Sequence, residues 1–209
     1  MTEPALPASP SAYQLRVVLR GLSPLVWRRL LVHAESTIAD LHLVLQASFG
    51  WSDDHLHRFE IHGREYGISY LGGISFPDDA RSVGLRTLGL RVGERFVYEY
   101  DFGDAWFHDL RVEQIARAEP RTPYPRCIGG RRAGPPENCG GAWGFQRWRQ
   151  DSRRHEVTSR LLELLTADAD ERADHACDFE DLCRWIVRDD FDRRRLNRRL
   201  AALAGRSAP

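Results

Sequence analysis

The chain of 209 residues contains no lysine: its 30 basic residues are all arginine, and 30 acidic residues balance them to a formal net charge of zero. The missing lysine excludes a P-loop, which needs G-x-x-x-x-G-K, and neither G-x-G-x-x-G nor G-x-S-x-G occurs. Common nucleotide-binding and serine-hydrolase sites are therefore excluded. A neutral chain also has no overall field that attracts nucleic acid or an anionic membrane. Binding to nucleic acid would need a local basic patch.

Cysteines and long apolar runs are also scarce. The four cysteines stand at irregular spacings, too few for a secreted disulfide scaffold of this length. There is no run of about 18 apolar residues, the length expected of a membrane-spanning helix. Residues 1–12 are rich in proline, alanine and serine, and they lack the basic and apolar segments of a signal peptide. We therefore predict a disordered leader over residues 1–12, a cytoplasmic location and no membrane partner.

Hydrophobic periodicity predicts several strands. Tyr13, Leu15 and Val17 alternate with polar residues, as in a half-buried strand. After a turn, residues 25–33 predict a second strand that forms a hairpin with the first. Further strands are predicted at residues 57–62, 66–70, 95–101 and 106–115.

One long helix is predicted between the hairpin and the later strands. Thr37 and Asp40 have the spacing of a capping box, and the helical pattern that follows is closed by Gly50. The order of hairpin, helix and further strands is that of a β-grasp, or ubiquitin-like, sheet. We therefore predict an α+β fold in which a mixed sheet packs on one main helix with β-grasp topology.

Residues 119–141 interrupt this pattern with five prolines and five glycines. A loop of this length is usually functional or disordered, and we predict no regular structure in it. Helical periodicity returns in residues 155–166, and two further helices are predicted to begin at Asp178 and Asp192. The predicted organisation is a leader over residues 1–12, one α+β domain over 13–150, and a helical tail over 151–209 packed on the domain.

A tight turn between two strong strands carries the pattern Asp101-x-x-Asp104-x-x-x-His108. Two carboxylates and an imidazole can bind a divalent cation or act as an acid–base pair. Glu137, held stiffly behind two prolines, is a further well-placed carboxylate. The candidate catalytic residues are therefore Asp101, Asp104, His108 and Glu137. In the alternative interpretation, the aspartates cap the turn and His108 packs in the core.

His55 and His57 stand two residues apart at the start of a predicted strand. Side chains at positions i and i+2 of a strand point the same way, and paired imidazoles are common metal ligands. Asp104, His108 and Glu137 are the candidates to complete a site for a divalent metal ion. Alternatively, His57 is a packed histidine, because apolar residues follow it on the same face.

Arginines cluster after the loop and alternate with aromatic residues. Such a cluster can hold a phosphate backbone and stack bases. The candidates for binding a nucleic-acid or protein partner are Trp143, Arg147, Trp148, Arg149, Arg153 and Arg154. Acidic residues among the arginines of the last predicted helix favour instead a solvated, salt-bridged surface.

Three groups of residues occur in a recognisable order: Leu41-His42 with Phe49-Gly50-Trp51 and His55-Leu56-His57-x-Phe59; Tyr98-x-Tyr100-Asp101-Phe102-Gly103-Asp104-x-Trp106-x-His108; and Tyr124-Pro125-x-Cys127 with Pro135-Pro136-Glu137-x-Cys139-Gly140-Gly141. Over residues 13–148 they resemble the plasmid pRiA4b ORF-3-like family. The resemblance implies a bacterial origin, a single α+β fold and an association with plasmids or insertion sequences. Some members carry a resolvase label, but no serine-recombinase pattern occurs here.

The chain departs from the family pattern in the proline-rich loop. Gly134 and Asn138 stand where the family usually has cysteine and aspartate. Cys127 and Cys139 are twelve residues apart, and neither has a C-x-x-C partner. A thiolate metal site is therefore not expected in the loop, and Cys177 and Cys183 are expected to serve core packing.

Two functions stay open. The one we favour is a binding or accessory module of plasmids or insertion sequences, which fits the neutral charge and the lack of a known catalytic motif. The alternative is a metal-dependent hydrolase acting on phosphate esters. That alternative requires four side chains to converge on one point: His57, Asp104, His108 and Glu137.

Overall fold

The strands have the predicted alternation. In β1 (Ser11–Leu19), Tyr13, Leu15 and Val17 are fully buried, whereas the residues between them are only partly buried.

The computed structural model describes residues 11–69, 74–151, 154–168 and 190–204. The predicted α+β class is confirmed by the described elements, which after β1 are β2 (Trp27–His33), α1 (Ile38–Phe49), β3 (His57–Ile61), β4 (Arg64–Gly67), β5 (Asp78–Asp79), a 3₁₀ turn (Leu85–Leu88), β6 (Arg95–Tyr100), β7 (Trp106–Arg117), β8 (Arg126–Arg131), α2 (Gly141–Asp151), α3 (Arg154–Thr166) and α4 (Arg193–Ala204).

The described strands form one eight-stranded sheet in the order β5-β4-β3-β6-β7-β1-β2-β8. All neighbours pair antiparallel except β4 and β5, which are parallel, so the sheet is mixed and mostly antiparallel. Strand β1 lies inside the sheet and pairs antiparallel with both β2 and β7. The observed order does not confirm the predicted β-grasp topology.

Helix α1 begins at the predicted capping box. The Asp40 backbone N–H donates to the Thr37 hydroxyl, and the Thr37 backbone N–H donates to the Asp40 carboxylate. The helix ends at Gly50, whose left-handed φ of 83° suits a residue without a side chain. Its apolar residues join those of the sheet in one buried core. Two polar residues of α1, His42 and Gln46, are also buried, and they begin the candidate site.

Part of the predicted irregular segment, residues 119–141, forms strand β8. This strand pairs antiparallel with β2 and places the buried Cys127 opposite Leu30. Without β8, the backbone N–H and C=O groups along that edge of β2 would lack strand partners. The sequence pattern does not reveal β8, because Gly129 and Gly130 occupy two of its six positions.

At the N-terminal end the described structure starts earlier than the predicted domain, and at the C-terminal end a tail helix packs on the domain. Strand β1 starts at Ser11, which is fully buried, and so begins within the segment predicted as leader. Residues 1–10 lie outside the described part. In the tail, α4 packs against β8 and α1, and its Leu196 and Leu200 join the core.

Other predictions for the tail fall on residues that the structure does not describe. They are the helix beginning at Asp178, the packing of Cys177 and Cys183, and the side chains of Arg153 and Arg154. Arg154 is the first residue of α3. Within the described residues, no helix has both the length and the apolar character needed to cross a bilayer.

Candidate functional site

Three side chains suited to metal binding meet between helix α1 and strand β3. His42 comes from α1, Asp53 from the connection that follows it, and His57 is the first residue of β3. One ligand atom from each lies within 4.8 Å of the other two. Gly50 ends the helix, and Asp53, at a φ of 67°, lies in the short connection to β3. We call these three residues the His–Asp cluster.

His42 is held on both sides of its ring and is only 1% exposed. Its Nε2 lies 2.7 Å from Asp53 Oδ1, and its Nδ1 lies 2.8 Å from the Tyr98 hydroxyl oxygen. Gln46 Nε2 donates to that hydroxyl at 2.9 Å, and the Asp53 backbone N–H donates to Gln46 Oε1 at 3.2 Å. Every group is paired when Tyr98 donates its proton to His42 Nδ1 and His42 Nε2–H donates to Asp53.

His57 stacks on His42, with ring centres 3.5 Å apart and planes at 9°. Its Nε2 is buried and has no hydrogen-bond partner in the described part of the chain. Burial, and next the neighbouring His42, lower the pKa of His57 to about 3, although Asp53 opposes this. The imidazole is therefore neutral at physiological pH, which is the form that binds metals. A buried polar atom without a partner costs about 1–3 kcal/mol, so its presence needs an explanation.

Asp53 supplies a negative charge at the exposed side of the cluster, where its side chain is 41% accessible to solvent. Burial alone would raise the pKa of Asp53. The hydrogen bond from His42 and the electrostatic influence of the neighbouring His42 and His57 rings outweigh burial, and the pKa is lowered. Two imidazoles and an ionised carboxylate form a ligand set typical of zinc sites that keep an open position.

The predicted ligand His55 makes different contacts from His57. Its Nε2 lies 3.7 Å from Asp101 Oδ2, and its ring packs edge-on against Tyr100. Asp101, with a φ of 55°, accepts hydrogen bonds at Oδ1 from the backbone N–H groups of Gly103 and Asp104, at 3.0 and 3.3 Å. These are the hydrogen bonds of an aspartate that caps a turn.

His108 is fully buried and lies apart from the cluster. Its Nδ1 lies 3.1 Å from the Trp106 carbonyl oxygen, and no described residue forms a hydrogen bond with its Nε2. Its ring packs edge-on against Phe49 and Trp51. Burial lowers the pKa of His108 to about 3. It is therefore a neutral imidazole enclosed by aromatic rings.

Glu137 joins the proline-rich loop by hydrogen bonds to Tyr100 and to Ser52, which precedes Asp53 in the chain. The Tyr100 hydroxyl donates to Glu137 Oε1 at 2.5 Å, and the Ser52 amide and hydroxyl donate to Oε2 at 2.9 and 2.7 Å. Burial, and next the bond to Glu137, raise the pKa of Tyr100. The Trp51 indole N–H donates to the Pro135 carbonyl oxygen of the same loop. The other predicted carboxylate of this region, Asp104, accepts from the Gly140 backbone N–H at 3.2 Å.

Of the predicted ligands, the His–Asp cluster contains only His57. The sequence prediction missed His42 and Asp53. A signal for His42 exists, because it stands within the buried arc of α1 beside Leu41, where an imidazole needs a polar partner. No local pattern marks Asp53, since the fold of the connection alone brings it to His42.

The predicted partner-binding residues on α2 divide into two groups. Trp143 is 73% exposed, and the Arg147 guanidinium lies 5.5 Å from the centre of its ring. Trp148 is partly buried and stacks on Phe145 with ring centres 5.7 Å apart. The Arg149 guanidinium lies over the same Phe145 ring. Trp143 and Arg147 are therefore the part of this group best placed to meet a partner.

Known proteins similar to this chain leave the chemistry of the site open. Residues 11–198 match the family described as plasmid pRiA4b ORF-3-like protein. The uncharacterized protein y4hQ of Sinorhizobium fredii is 35% identical over 183 residues, which cover 87% of this chain and 84% of y4hQ. A crystal structure of a protein of unknown function, MM3350 from Methanosarcina mazei Go1, is similar with a TM-score of 0.64 and 29% identity, over 90% of this chain and 97% of that one. The chain therefore belongs to the plasmid pRiA4b ORF-3-like family.

Proposed function

We propose that the chain is a metal-binding module that holds one divalent transition-metal ion of the zinc class on His42, Asp53 and His57. The observation that carries the proposal is the buried Nε2 of His57, which has no hydrogen-bond partner among the described residues. His57 belongs to a cluster in which one ligand atom from each residue lies within 4.8 Å of the others. A metal ion would satisfy this atom. Imidazole nitrogen and carboxylate oxygen are both common zinc ligands.

The surroundings of the cluster suit this role. A metal on His42 Nε2 requires the ring to carry its proton on Nδ1, where the Tyr98 hydroxyl oxygen lies 2.8 Å away and can accept it. Gln46 holds that hydroxyl and also the backbone of Asp53. Such partners fix the orientation of ligating side chains and contribute to metal affinity.

The test is the metal content of the full chain, purified without chelator and then dialysed against a low, fixed concentration of free zinc. We expect about one equivalent of bound metal by mass spectrometry, because the three ligands form one site. His57→Asn and Asp53→Asn should lose it while circular dichroism shows an intact fold. The matched control is His55→Asn, which removes a nearby histidine outside the cluster and should keep the metal. Metal-free wild-type protein, or equal metal in His57→Asn, would contradict the proposal.

A second function, a metal-dependent hydrolase acting on phosphate esters, is favoured by the exposure of Asp53. A ligand that is 41% exposed leaves one side of the cluster accessible to water and substrate, as in catalytic zinc sites. Zinc-loaded wild-type protein should then hydrolyse bis(p-nitrophenyl) phosphate faster than the His57→Asn variant. Equal rates in the two proteins would reject the hydrolase and leave the metal-binding module standing.

The wider setting of the module is proposed from the family, and its partner surface from the exposure of Trp143 beside Arg147. We propose a bacterial, cytoplasmic protein associated with plasmids or insertion sequences, with a protein or nucleic-acid partner that meets Trp143 and Arg147. The family's description and the bacterial source of y4hQ support the bacterial plasmid setting. A gel-shift assay with DNA from a neighbouring mobile element tests the partner, because Trp143→Ala and Arg147→Ala should each weaken binding. Unchanged binding in both variants would exclude this surface.

A further inference from the structure

A cavity of about 520 Å³ opens at the C-terminal end of α1. The last residues of α1, the loop of residues 133–138, and helices α2 and α4 line it. The volume lies in the range of about 300–1,000 Å³ that small-molecule sites occupy. None of the three residues of the His–Asp cluster lines this cavity, so it is a separate feature of the molecule.

Arg28, a lining residue of the cavity, carries a deeply buried guanidinium group and is 2% exposed. Its Nε donates to the Ser48 carbonyl oxygen at 2.9 Å, and its Nη1 donates to the carbonyl oxygens of Trp27 and Arg131 at 2.8 and 3.1 Å. Among the described residues, no carboxylate forms an ion pair with Arg28, and no atom accepts a hydrogen bond from its Nη2. Burial lowers the pKa of Arg28 to about 10, so the guanidinium still carries its charge at neutral pH.

A purely structural role explains only part of this arrangement. The bond to Ser48 satisfies a carbonyl in the last turn of α1, where a cation is favourable. The ring centres of Phe49 and Phe191 lie 5.1 and 4.2 Å from the guanidinium carbon of Arg28. These contacts account for Nε, Nη1 and the faces of the guanidinium group. Within the described residues they leave Nη2 without an acceptor, and Arg28 lines the open volume.

Five further charged side chains line the cavity, two arginines and three carboxylates, so that with Arg28 the formal charge of the described lining is zero. Arg195 and Arg199 both line it, and neither forms an ion pair within the described residues. Among the acidic residues, both oxygens of Glu137 already accept the hydrogen bonds described above. Asp192 accepts from the backbone N–H of Arg195 at the start of α4. Asp190 is exposed and is the remaining carboxylate of the lining.

We propose that this cavity binds a small organic anion with a flat apolar body. A carboxylate, sulfonate or phosphate oxygen of the ligand accepts from Nη2 of Arg28, and Arg195 and Arg199 attract the same group. The apolar body lies against the aromatic part of the lining, which includes Phe145 and Trp148. The ligand thereby supplies the counter-charge that the described residues do not provide for Arg28.

The probe is 1-anilinonaphthalene-8-sulfonate, an aromatic sulfonate whose fluorescence rises in an apolar site. It is titrated into the full chain in the presence of a chelator, so that metal binding does not contribute. We expect saturable binding of one equivalent and displacement by 1-naphthoate and 1-naphthyl phosphate. The stronger of these two competitors identifies whether the natural ligand is a carboxylate or a phosphate.

Arginine variants locate the binding site. Arg199→Gln and Arg195→Gln should each raise the dissociation constant about fivefold, because each removes one positive charge from the lining. The matched control is Arg198→Gln, an exposed arginine of the same helix that does not line the cavity and should bind as wild type. Arg28→Gln keeps N–H donors but removes the charge, and it should abolish binding in protein that circular dichroism shows to be folded.

Three results would overturn the proposal. They are the absence of saturable binding, equal dissociation constants for the Arg199→Gln and Arg198→Gln variants, and displacement by inorganic phosphate as effective as by 1-naphthoate. If Arg28→Gln does not fold, the comparison of the Arg199 and Arg198 variants decides.

Discussion

Two buried imidazoles of similar chemistry have different surroundings. His57 stacks on His42 within the His–Asp cluster, where other potential ligands are close. His108 packs instead against Phe49 and Trp51, away from those ligands. Each has a buried Nε2 that no described residue meets with a hydrogen bond. The unpartnered atom alone therefore does not define a site, and its neighbours decide whether a metal can satisfy it.

His108 should make the protein less stable in acid. Its pKa is lowered to about 3 in the folded protein by burial, against about 6.5 in an unfolded chain. Between these values the unfolded chain binds more protons, so this contribution is complete above about pH 6.5 and is lost as the pH falls toward 3. His108→Leu should reduce the slope of unfolding free energy with pH between pH 4 and 6 by about 1.4 kcal/mol per pH unit.

Urea unfolding at several pH values, with a chelator present, measures this slope. Leucine replaces the neutral imidazole with an apolar side chain of similar volume, so the fold should survive at pH 7. An unchanged slope in the variant would show that another group controls acid unfolding.

At the scale of elements, the loop of residues 133–138 connects the two candidate sites. Its Glu137 bonds to Tyr100 and Ser52 beside the His–Asp cluster, and the loop itself lines the cavity at the end of α1. Gly134 permits this close packing, because a Cβ there would lie 2.1 Å from the backbone oxygen of Phe49. The position of the loop thus depends on a residue without a side chain.

Gly134→Ala should destabilise the protein by about 1–3 kcal/mol, the cost of forcing an extra methyl group into packed structure. The backbone of α1 cannot move aside as a flexible side chain can, so the loop must shift. Gly84→Ala is the matched control, because a Cβ there meets nothing within 4 Å and its φ of −75° is open to any residue. The control should be neutral or more stable by about 0.4–1 kcal/mol. Equal destabilisation in both variants, measured by thermal unfolding, would contradict this role of Gly134.

The features that the sequence predicts are those that interactions between residues near each other in the chain produce. The alternation in β1 and the capping box at Thr37 act within a few residues, and both were predicted correctly. Strand β8 was missed because its stability comes from the edge of β2, far away in the chain. His57 was found from the spacing of two histidines. Its actual neighbours, His42 and Asp53, could not be paired with it, because their meeting depends on how α1 docks beside β3.

At the scale of the whole molecule, a metal ion would add a further link between elements that packing and the hydrogen bonds of Asp53 already join. The ligands come from α1, from the connection after it and from β3. The unfolded chain does not hold them together, so an ion that binds the folded state stabilises the fold by mass action. At a free zinc concentration of 100 times the dissociation constant, this amounts to about 2.7 kcal/mol.

Zinc should therefore raise the melting temperature of the wild-type chain by roughly 5–10 °C under that condition. His57→Asn should show no such rise, because it removes the imidazole whose Nε2 lacks a partner. His55→Asn should respond as wild type, since that histidine packs against Tyr100 outside the cluster. The measurement is differential scanning calorimetry with chelator and then with increasing zinc. An equal rise in all three proteins would place the bound zinc somewhere other than His42, Asp53 and His57.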